Sequence, residues 1–249
     1  KRYLQRMSAL GEPKPPLGLF QIGSSVPVVA EVAEAIALNH ACGNNLRWVL
    51  VEPQEPIIKE VEYKALSAGF GPERTFVVNA AICPSADREL ELWKFKDGTA
   101  AERSDRMGIV RMMSTLGGKD VLLNTWRRGA IFPGNLPVEE RHEEDLEDWV
   151  EAVPVKCHTP ATLLKEVRME ASNVDYLIID TEGYDAEILS LFRDLPGFNP
   201  AVIIIEYAHH HASRGKVSQL PDAANYWSSR GYAVYKDFEN LVMFKTDGS

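Results

Sequence analysis

Three carboxylates stand close together in the segment Asp180-Thr181-Glu182-Gly183-Tyr184-Asp185, directly after an apolar run at 176–179. Carboxylates this close repel one another unless they share protons, a cation or hydrogen-bond donors. A helix that begins here would explain part of the cluster, since acidic residues in a first turn interact favourably with the helix dipole. The position of the cluster at the end of an apolar run predicts a functional site that includes Asp180 and Glu182.

A second group of polar residues follows the apolar run at 202–205. Glu206 ends that run, and His209, His210 and His211 come shortly after it. An acid or a histidine here could serve as a general base. Adjacent histidine side chains point in different directions and rarely bind one ion together, so we expect no metal site. A polar loop is the simpler alternative for the histidines.

A glycine and an acid follow the first two apolar runs of the chain. Gly23 precedes Ser24, and a glycine at this point lets the chain turn tightly and approach a ligand closely. Glu52 ends the next run, where a nucleotide-binding fold commonly places a carboxylate for the ribose hydroxyls. The segment that begins at Gly23 supplies only half of a G-x-G-x-x-G pattern. For Glu52, the simpler alternative is an exposed acid before Pro53.

Strands and helices that could position these residues alternate along most of the chain. The predicted strands cover 19–22, 47–51, 75–79, 89–95, 174–179, 201–207, 233–236 and 241–244, and the predicted helices cover 28–41, 56–67, 161–169, 184–192 and 221–230. This order predicts an α/β fold with a mostly parallel sheet and helices on both faces. The last two strands are close enough for an antiparallel hairpin. Ligands of such sheets bind beyond the carboxyl ends of the strands, where the acids above lie.

The chain reads as one domain at 19–249, preceded by a leader at 1–18 that ends in Lys14-Pro15-Pro16. Residues 97–139 are rich in glycine and arginine without a sustained period, which predicts a long insertion. An acidic run at 139–151 follows it. Such a run is typical of a solvated helix face, and less often of a docking surface for a basic partner. The region 97–151 is therefore the candidate surface for a protein partner.

Composition limits the classes of partner and compartment. The 249 residues carry a formal charge of −9 with a pI near 5.2, the wrong sign for a protein that grips nucleic acid. No apolar run approaches the length of a membrane helix. The three cysteines lack a C-x-x-C pair, which argues against a disulfide framework and favours a soluble protein of a reducing compartment, cytoplasm or organelle interior. The start Lys-Arg-Tyr is compatible with a processed product, so the cellular compartment is left open.

The segment 174–189, VDYLIIDTEGYDAEIL, resembles the strand, Asp-x-Glu-Gly signature and following helix of the FkbM family of S-adenosylmethionine-dependent methyltransferases. Weaker matches follow the family's order at 20–23, 51–53, 79–82, 162–164, 200–206 and 231–232. The resemblance runs from about Leu19 to Phe244. It implies a class I methyltransferase-like Rossmann sheet of about seven strands, with an antiparallel last strand.

The same resemblance implies which residues hold the methyl donor, S-adenosylmethionine. Gly23 and Ser24 would form the donor loop. Glu52 would bind the ribose. Asn79 and Ala80 would flank the adenine.

The remaining strand ends would lie near the reaction itself. Asp180 and Glu182 would stand where the methionine end of the donor meets the acceptor. Methyl transfer is an in-line displacement, so the protein must align donor and acceptor and remove one proton. Asp180 is the expected base, with Glu206 or His209 as alternatives.

The first motif departs from the family pattern. Gln21 stands where the family usually has an acid, and Ser25 and Pro27 replace the expected continuation of the glycine loop. The lost acid would have contacted the ammonium group of the donor, and such a charge-assisted contact is worth about 1.5 to 3 kcal/mol. The altered loop weakens the expectation of donor binding.

Two functions are therefore in competition. The first is an O-methyltransferase acting on a small-molecule or glycan hydroxyl, which the acids at the strand ends favour. The second is a catalytically inactive methyltransferase-like domain that serves as a structural or interaction subunit, which the altered loop and the insertion favour. A nicotinamide-dependent Rossmann enzyme is the poorer alternative, because the glycine fingerprint is incomplete.

Overall fold

The structure is a computed structural model of the chain. It describes residues 16–23, 35–40, 43–85, 89–96, 114–115, 118–120, 122–123, 147–181, 184–206, 220–237 and 240–246. Most of the predicted leader and of the 97–139 insertion lies outside these residues, as do Ser24, Glu182 and His209.

A seven-stranded sheet forms the centre of the described chain. Its strands are β1 (Leu17–Ile22), β2 (Leu46–Val51), β3 (Thr75–Val78), β8 (Val174–Ile179), β9 (Val202–Glu206), β10 (Tyr232–Asp237) and β11 (Asn240–Lys245). They lie in the order β10-β11-β9-β8-β1-β2-β3. Neighbours from β9 to β3 are parallel, whereas β11 is antiparallel to both β9 and β10. The predicted mostly parallel sheet with an antiparallel last strand is confirmed.

Helices cover both faces of this sheet. They are α1 (35–40), α2 (Glu55–Ser67), α3 (Pro160–Glu166), α4 (Asp185–Arg193) and α5 (Leu220–Ser228). Strand residues alternate between two cores: Trp48 and Leu50 pack with α1 and α2, while Val49 and Val51 pack with α3, α4 and α5. Helices on both faces are thus confirmed. Within the described part of the chain, no helix has the length and apolar character needed to cross a membrane.

The sequence of α4 shows why a helix begins directly beside the acidic segment. Asp185 and Glu187 lie in its first turn and Arg193 in its last, which places each charge at the favourable end of the helix dipole. Leu189 and Phe192 are buried one turn apart and attach the helix to the sheet. The start of α4 is therefore fixed at the carboxyl edge of β8.

A second, four-stranded sheet extends beyond β3. It consists of β4 (Ala81–Ile82), β7 (Val150–His158), β5 (Glu89–Phe95) and β6 (Ser114–Thr115), in that order. Only β5 was predicted from the sequence. The sequence predicted a helix face at 139–151. The described part of this region differs, because Glu147–Trp149 form a 3-10 turn and β7 begins at Val150. The antiparallel pairing of β7 with β5 stabilises this extended chain.

The cysteines correct a further expectation. Cys83 and Cys157 form a disulfide with Cα atoms 5.9 Å apart, a separation within the normal range for such a bond. Parallel pairing of β4 with β7 places Ala81 opposite Cys157 and so brings Cys83 close by. Cysteine spacing in the sequence carries no sign of this register. The prediction of a reducing compartment rested on the lack of a sequence pattern for a disulfide framework, and the compartment stays a prediction.

Candidate functional site

The carboxyl ends of five strands meet at one edge of the large sheet. Their last paired residues are in register across the sheet: Ile205, Ile179, Ile22, Val51 and Val78. The next residues form a row in the same order: Glu206, Asp180, Gly23, Glu52 and Asn79. Apart from Ala80, every described residue that was selected from the sequence belongs to this row. The sheet therefore brings the candidates together along one edge, which we call the polar row.

Gly23 forms the turn at the centre of the polar row. Its φ of +79° lies in the region that favours glycine, and a Cβ at this position would overlap the carbonyl oxygen of Asp180. The backbone N–H of Gly23 donates to the oxygen of Val51 at 2.9 Å, and Asp180 N donates to the oxygen of Ile22 at the same distance. The chain is thus held close to both neighbouring strands before it leaves the sheet.

Glu52 is a buried acid, so the simpler alternative of an exposed acid before Pro53 does not hold. Its side chain is only 4% exposed, and its Oε1 accepts a hydrogen bond of 2.8 Å from the backbone N–H of Gln54. Burial raises the pKa of Glu52 to about 7, and hydrogen bonds from the backbone and side chain of Gln54 oppose that rise. A buried acid with a raised pKa at the end of a strand is a candidate functional residue.

Asn79 and Ala80 follow β3 and differ in their exposure to solvent. Asn79 is exposed, and its Nδ2 donates to the backbone oxygen of Glu52 at 2.9 Å. Ala80 is fully buried in the core beneath the sheet. Their predicted role beside the adenine stays a prediction.

Three acids meet at the other end of the polar row. One carboxylate oxygen from each of Asp180, Asp185 and Glu206 lies within 4.8 Å of the others. Asp185 is fully buried, and it accepts hydrogen bonds from the N–H of Thr181 at 3.2 Å and from its hydroxyl at 3.3 Å. Oxygens at this spacing could share a proton or hold a hard cation. The expected absence of a metal stays a prediction.

Asp185 was not selected as a site residue from the sequence. It was noted only as the third acid of its segment, and its place in the first turn of α4 gave it a structural explanation. Gln54 was not noted at all, because a glutamine carries no signal of chemistry. The one hint for Gln54 was its position two residues after Glu52, between Pro53 and Pro56.

Gln21 is the residue that departs from the family pattern, and it is buried inside the sheet. It is 2% exposed and lies between Leu50 on β2 and Ile178 on β8. A neutral amide costs less to bury here than a carboxylate would. The position therefore contributes no negative charge to the polar row.

The fold and the polar row together define a class I methyltransferase-like protein. The sequence model of the methyltransferase FkbM domain matches residues 21–234. The chain belongs to the FkbM methyltransferase family, and the resemblance stated from its motifs is confirmed. No curated protein sequence matches the chain significantly.

Solved structures also align with the chain. A precorrin-6y C5,15-methyltransferase from Geobacter metallireducens is 12% identical, with a TM-score of 0.39 over 98% of this chain and 88% of that one. A protein from Corynebacterium glutamicum is 8% identical, with a TM-score of 0.38 over 100% and 82%. A SAM-dependent methyltransferase from Aquifex aeolicus is 10% identical, with a TM-score of 0.36 over 98% and 86%. All three TM-scores are below 0.5.

The polar groups of the polar row fit S-adenosylmethionine, the methyl donor that the family implies. Ribose offers two hydroxyl groups, which require acceptors, and the carboxylate of Glu52 is acceptor-only when ionised. The sulfonium and ammonium groups of S-adenosylmethionine are cationic, and the acids around Asp180 provide a favourable potential for them. Gln21 is the one mismatch, because an amide is a weaker partner for an ammonium group.

Proposed function

We propose that this protein transfers a methyl group from S-adenosylmethionine to a hydroxyl oxygen of a small molecule or a glycan. The single observation that carries the proposal is Glu52, which is buried at the end of β2 and held ready to accept hydrogen bonds. Burial of an ionised acid costs stability, and such a cost is typical of a residue kept for binding.

Each part of the polar row has a task in this proposal. Glu52 accepts the ribose hydroxyls, and Asn79 with Ala80 borders the adenine. Gly23 and Ser24 form the loop along the donor, and Glu182 helps Asp180 to orient its methionine end. When bound, S-adenosylmethionine supplies an electrophilic methyl group on a sulfonium.

Asp180 is the proposed base. It would take the proton of the acceptor's hydroxyl, and bound S-adenosylmethionine would supply the methyl group and leave as S-adenosylhomocysteine. Glu206 and His209 are the alternatives, since Glu206 lies within the same carboxylate cluster and His209 follows it in the sequence. The remaining work of the site is alignment of donor and acceptor.

The second candidate function is a catalytically inactive domain that acts as a structural or interaction subunit. The observation that favours it is Gln21, whose neutral side chain replaces the expected acid at the centre of the sheet. In that case the 97–151 region would provide the surface for a protein partner.

Calorimetric titration with S-adenosylmethionine and S-adenosylhomocysteine separates the two functions. The methyltransferase is expected to bind both ligands, and Glu52→Ala should weaken the binding. Glu55→Ala is the matched control, because Glu55 is an exposed neighbour that pairs with Lys59. No heat from the wild-type protein at millimolar ligand would reject the enzyme and favour the inactive domain.

A further inference from the structure

Glu52 is held by hydrogen bonds on its backbone as well as on its side chain. Its N–H donates to the oxygen of Val78 at 3.1 Å, and its own oxygen accepts from Asn79 Nδ2 at 2.9 Å. Its carboxylate accepts from the backbone and the side chain of Gln54. The position of Glu52 is therefore set by β3 on one side and by Gln54 on the other.

Gln54 occupies an unusual place for its residue type. It is the N-cap residue of α2, where Ser, Thr, Asp or Asn normally caps the helix, and its side chain makes no capping hydrogen bond. It is only 6% exposed, and its side chain turns to the carboxylate of Glu52 instead. Pro53 and Pro56 restrict the backbone on both sides of this contact. The start of α2 thus supplies two donors to one buried acid.

The number of acceptor sites on the carboxylate gives this contact a specific consequence. An ionised carboxylate offers about four lone-pair sites. The backbone and side chain of Gln54 occupy two of them, which leaves two for a ligand. A ribose presents two neighbouring hydroxyl groups. The donors of Gln54 and those of a ribose together would complete the hydrogen bonding of Glu52.

We propose that Gln54 is a positioning residue that holds the carboxylate of Glu52 in the orientation that accepts both ribose hydroxyls of an adenosyl ligand. This role rests on the proposed function, because it concerns the same ligand. Gln54 itself does not touch the ribose. It fixes the side chain of Glu52 in advance, so that less side-chain freedom is lost when the ligand binds.

The test uses two variants of Gln54 and two ligands. Gln54→Met keeps the size of the side chain and removes its donor. Gln54→Ser also removes the contact with Glu52, but it provides a better cap for α2, so loss of helix stability cannot explain its effect. The ligands are S-adenosylhomocysteine and its 2′,3′-dideoxy analogue, and calorimetry gives both dissociation constants. Glu55→Gln, an exposed neighbour, is the control.

Both variants are expected to bind S-adenosylhomocysteine roughly tenfold more weakly than the wild type, and to bind the dideoxy analogue within about twofold of it. Equal losses for the two ligands would overturn the proposal, because they would reveal a general structural effect. Unchanged binding of S-adenosylhomocysteine by Gln54→Ser would overturn it as well. If the wild-type protein binds neither ligand, the proposed function fails and this role fails with it.

Discussion

The side-chain amide of Asn79 donates to the backbone oxygen of Glu52 at 2.9 Å and thereby ties the end of β3 to the end of β2. The exposed Asn79 and the buried Glu52 are therefore parts of one hydrogen-bonded unit. In the proposed function these two residues contact the adenine and the ribose of one ligand. A substitution at either residue should therefore affect how the ligand binds at the other.

Replacement of Glu52 by glutamine should change the pH dependence of stability. The pKa of Glu52 is about 7 in the folded protein and 4.5 ordinarily, so between these values the folded state holds a proton that the unfolded state has lost. The contribution of Glu52 to the free energy of unfolding is complete below pH 4.5 and is lost as the pH rises to about 7. The loss amounts to about 3 kcal/mol.

Urea unfolding of the wild type and of Glu52→Gln between pH 4.5 and 8 measures this effect. The variant should gain stability relative to the wild type as the pH rises through this range, and Glu55→Gln should not. Parallel stability curves for wild type and Glu52→Gln would show that the acid is not desolvated. A gain in stability together with weaker ligand binding is expected for a residue kept for function.

Gln21→Glu should strengthen donor binding. A carboxylate at this position would offer the ammonium group of S-adenosylmethionine a charge-assisted contact, worth roughly one to two decades in affinity. Calorimetry with S-adenosylmethionine measures the change. The variant should also be less stable without ligand, because residue 21 is buried in the sheet. Weaker binding by a folded Gln21→Glu would place the ammonium group elsewhere.

Asp180→Asn should remove turnover while it leaves the fold intact. Loss of a general base typically costs about 100-fold to 10,000-fold in rate. Release of S-adenosylhomocysteine, measured with a mixture of hydroxylated small molecules and glycans, reports the reaction. Glu166→Gln, at an exposed partner of His158, is a suitable control. Wild-type turnover in Asp180→Asn, with loss in Glu206→Gln or His209→Ala, would move the role of base to that residue.

The Cys83–Cys157 bond predicts the thiol count of the protein. Of the three cysteines, only Cys42 should react with a thiol reagent after unfolding without reductant. The bond joins residues 74 apart, so its reduction should lower the free energy of unfolding by about 4 kcal/mol. Cys42→Ala should leave this stability unchanged. Three reactive thiols in unreduced protein would contradict the bond.

Much of the large sheet was predictable because each strand is a short apolar run with a polar residue at its end. The prediction for β8 matched the structure at Val174–Ile179. The same rule selected Glu52 and Asp180. Residues that pack on both faces of a parallel sheet must be apolar, so the strand ends are visible in the sequence.

The second sheet was less predictable because long-range pairing decides it. In β7, Pro154 and the charged residues Glu151 and Lys156 argue against a strand, yet pairing with β5 keeps the chain extended. Glu151 is stabilised by Lys94 on β5 at 3.1 Å. The disulfide depends on the pairing of β7 with β4, and neither cysteine indicates the other in the sequence.

A crystal structure of the protein with S-adenosylhomocysteine is the decisive measurement. Both ribose hydroxyls are expected to donate to the carboxylate of Glu52, and the adenine is expected to lie beside Asn79. The homocysteine end should point toward Asp180. A bound ligand whose ribose lies away from Glu52 would show that Glu52 does not hold the ribose.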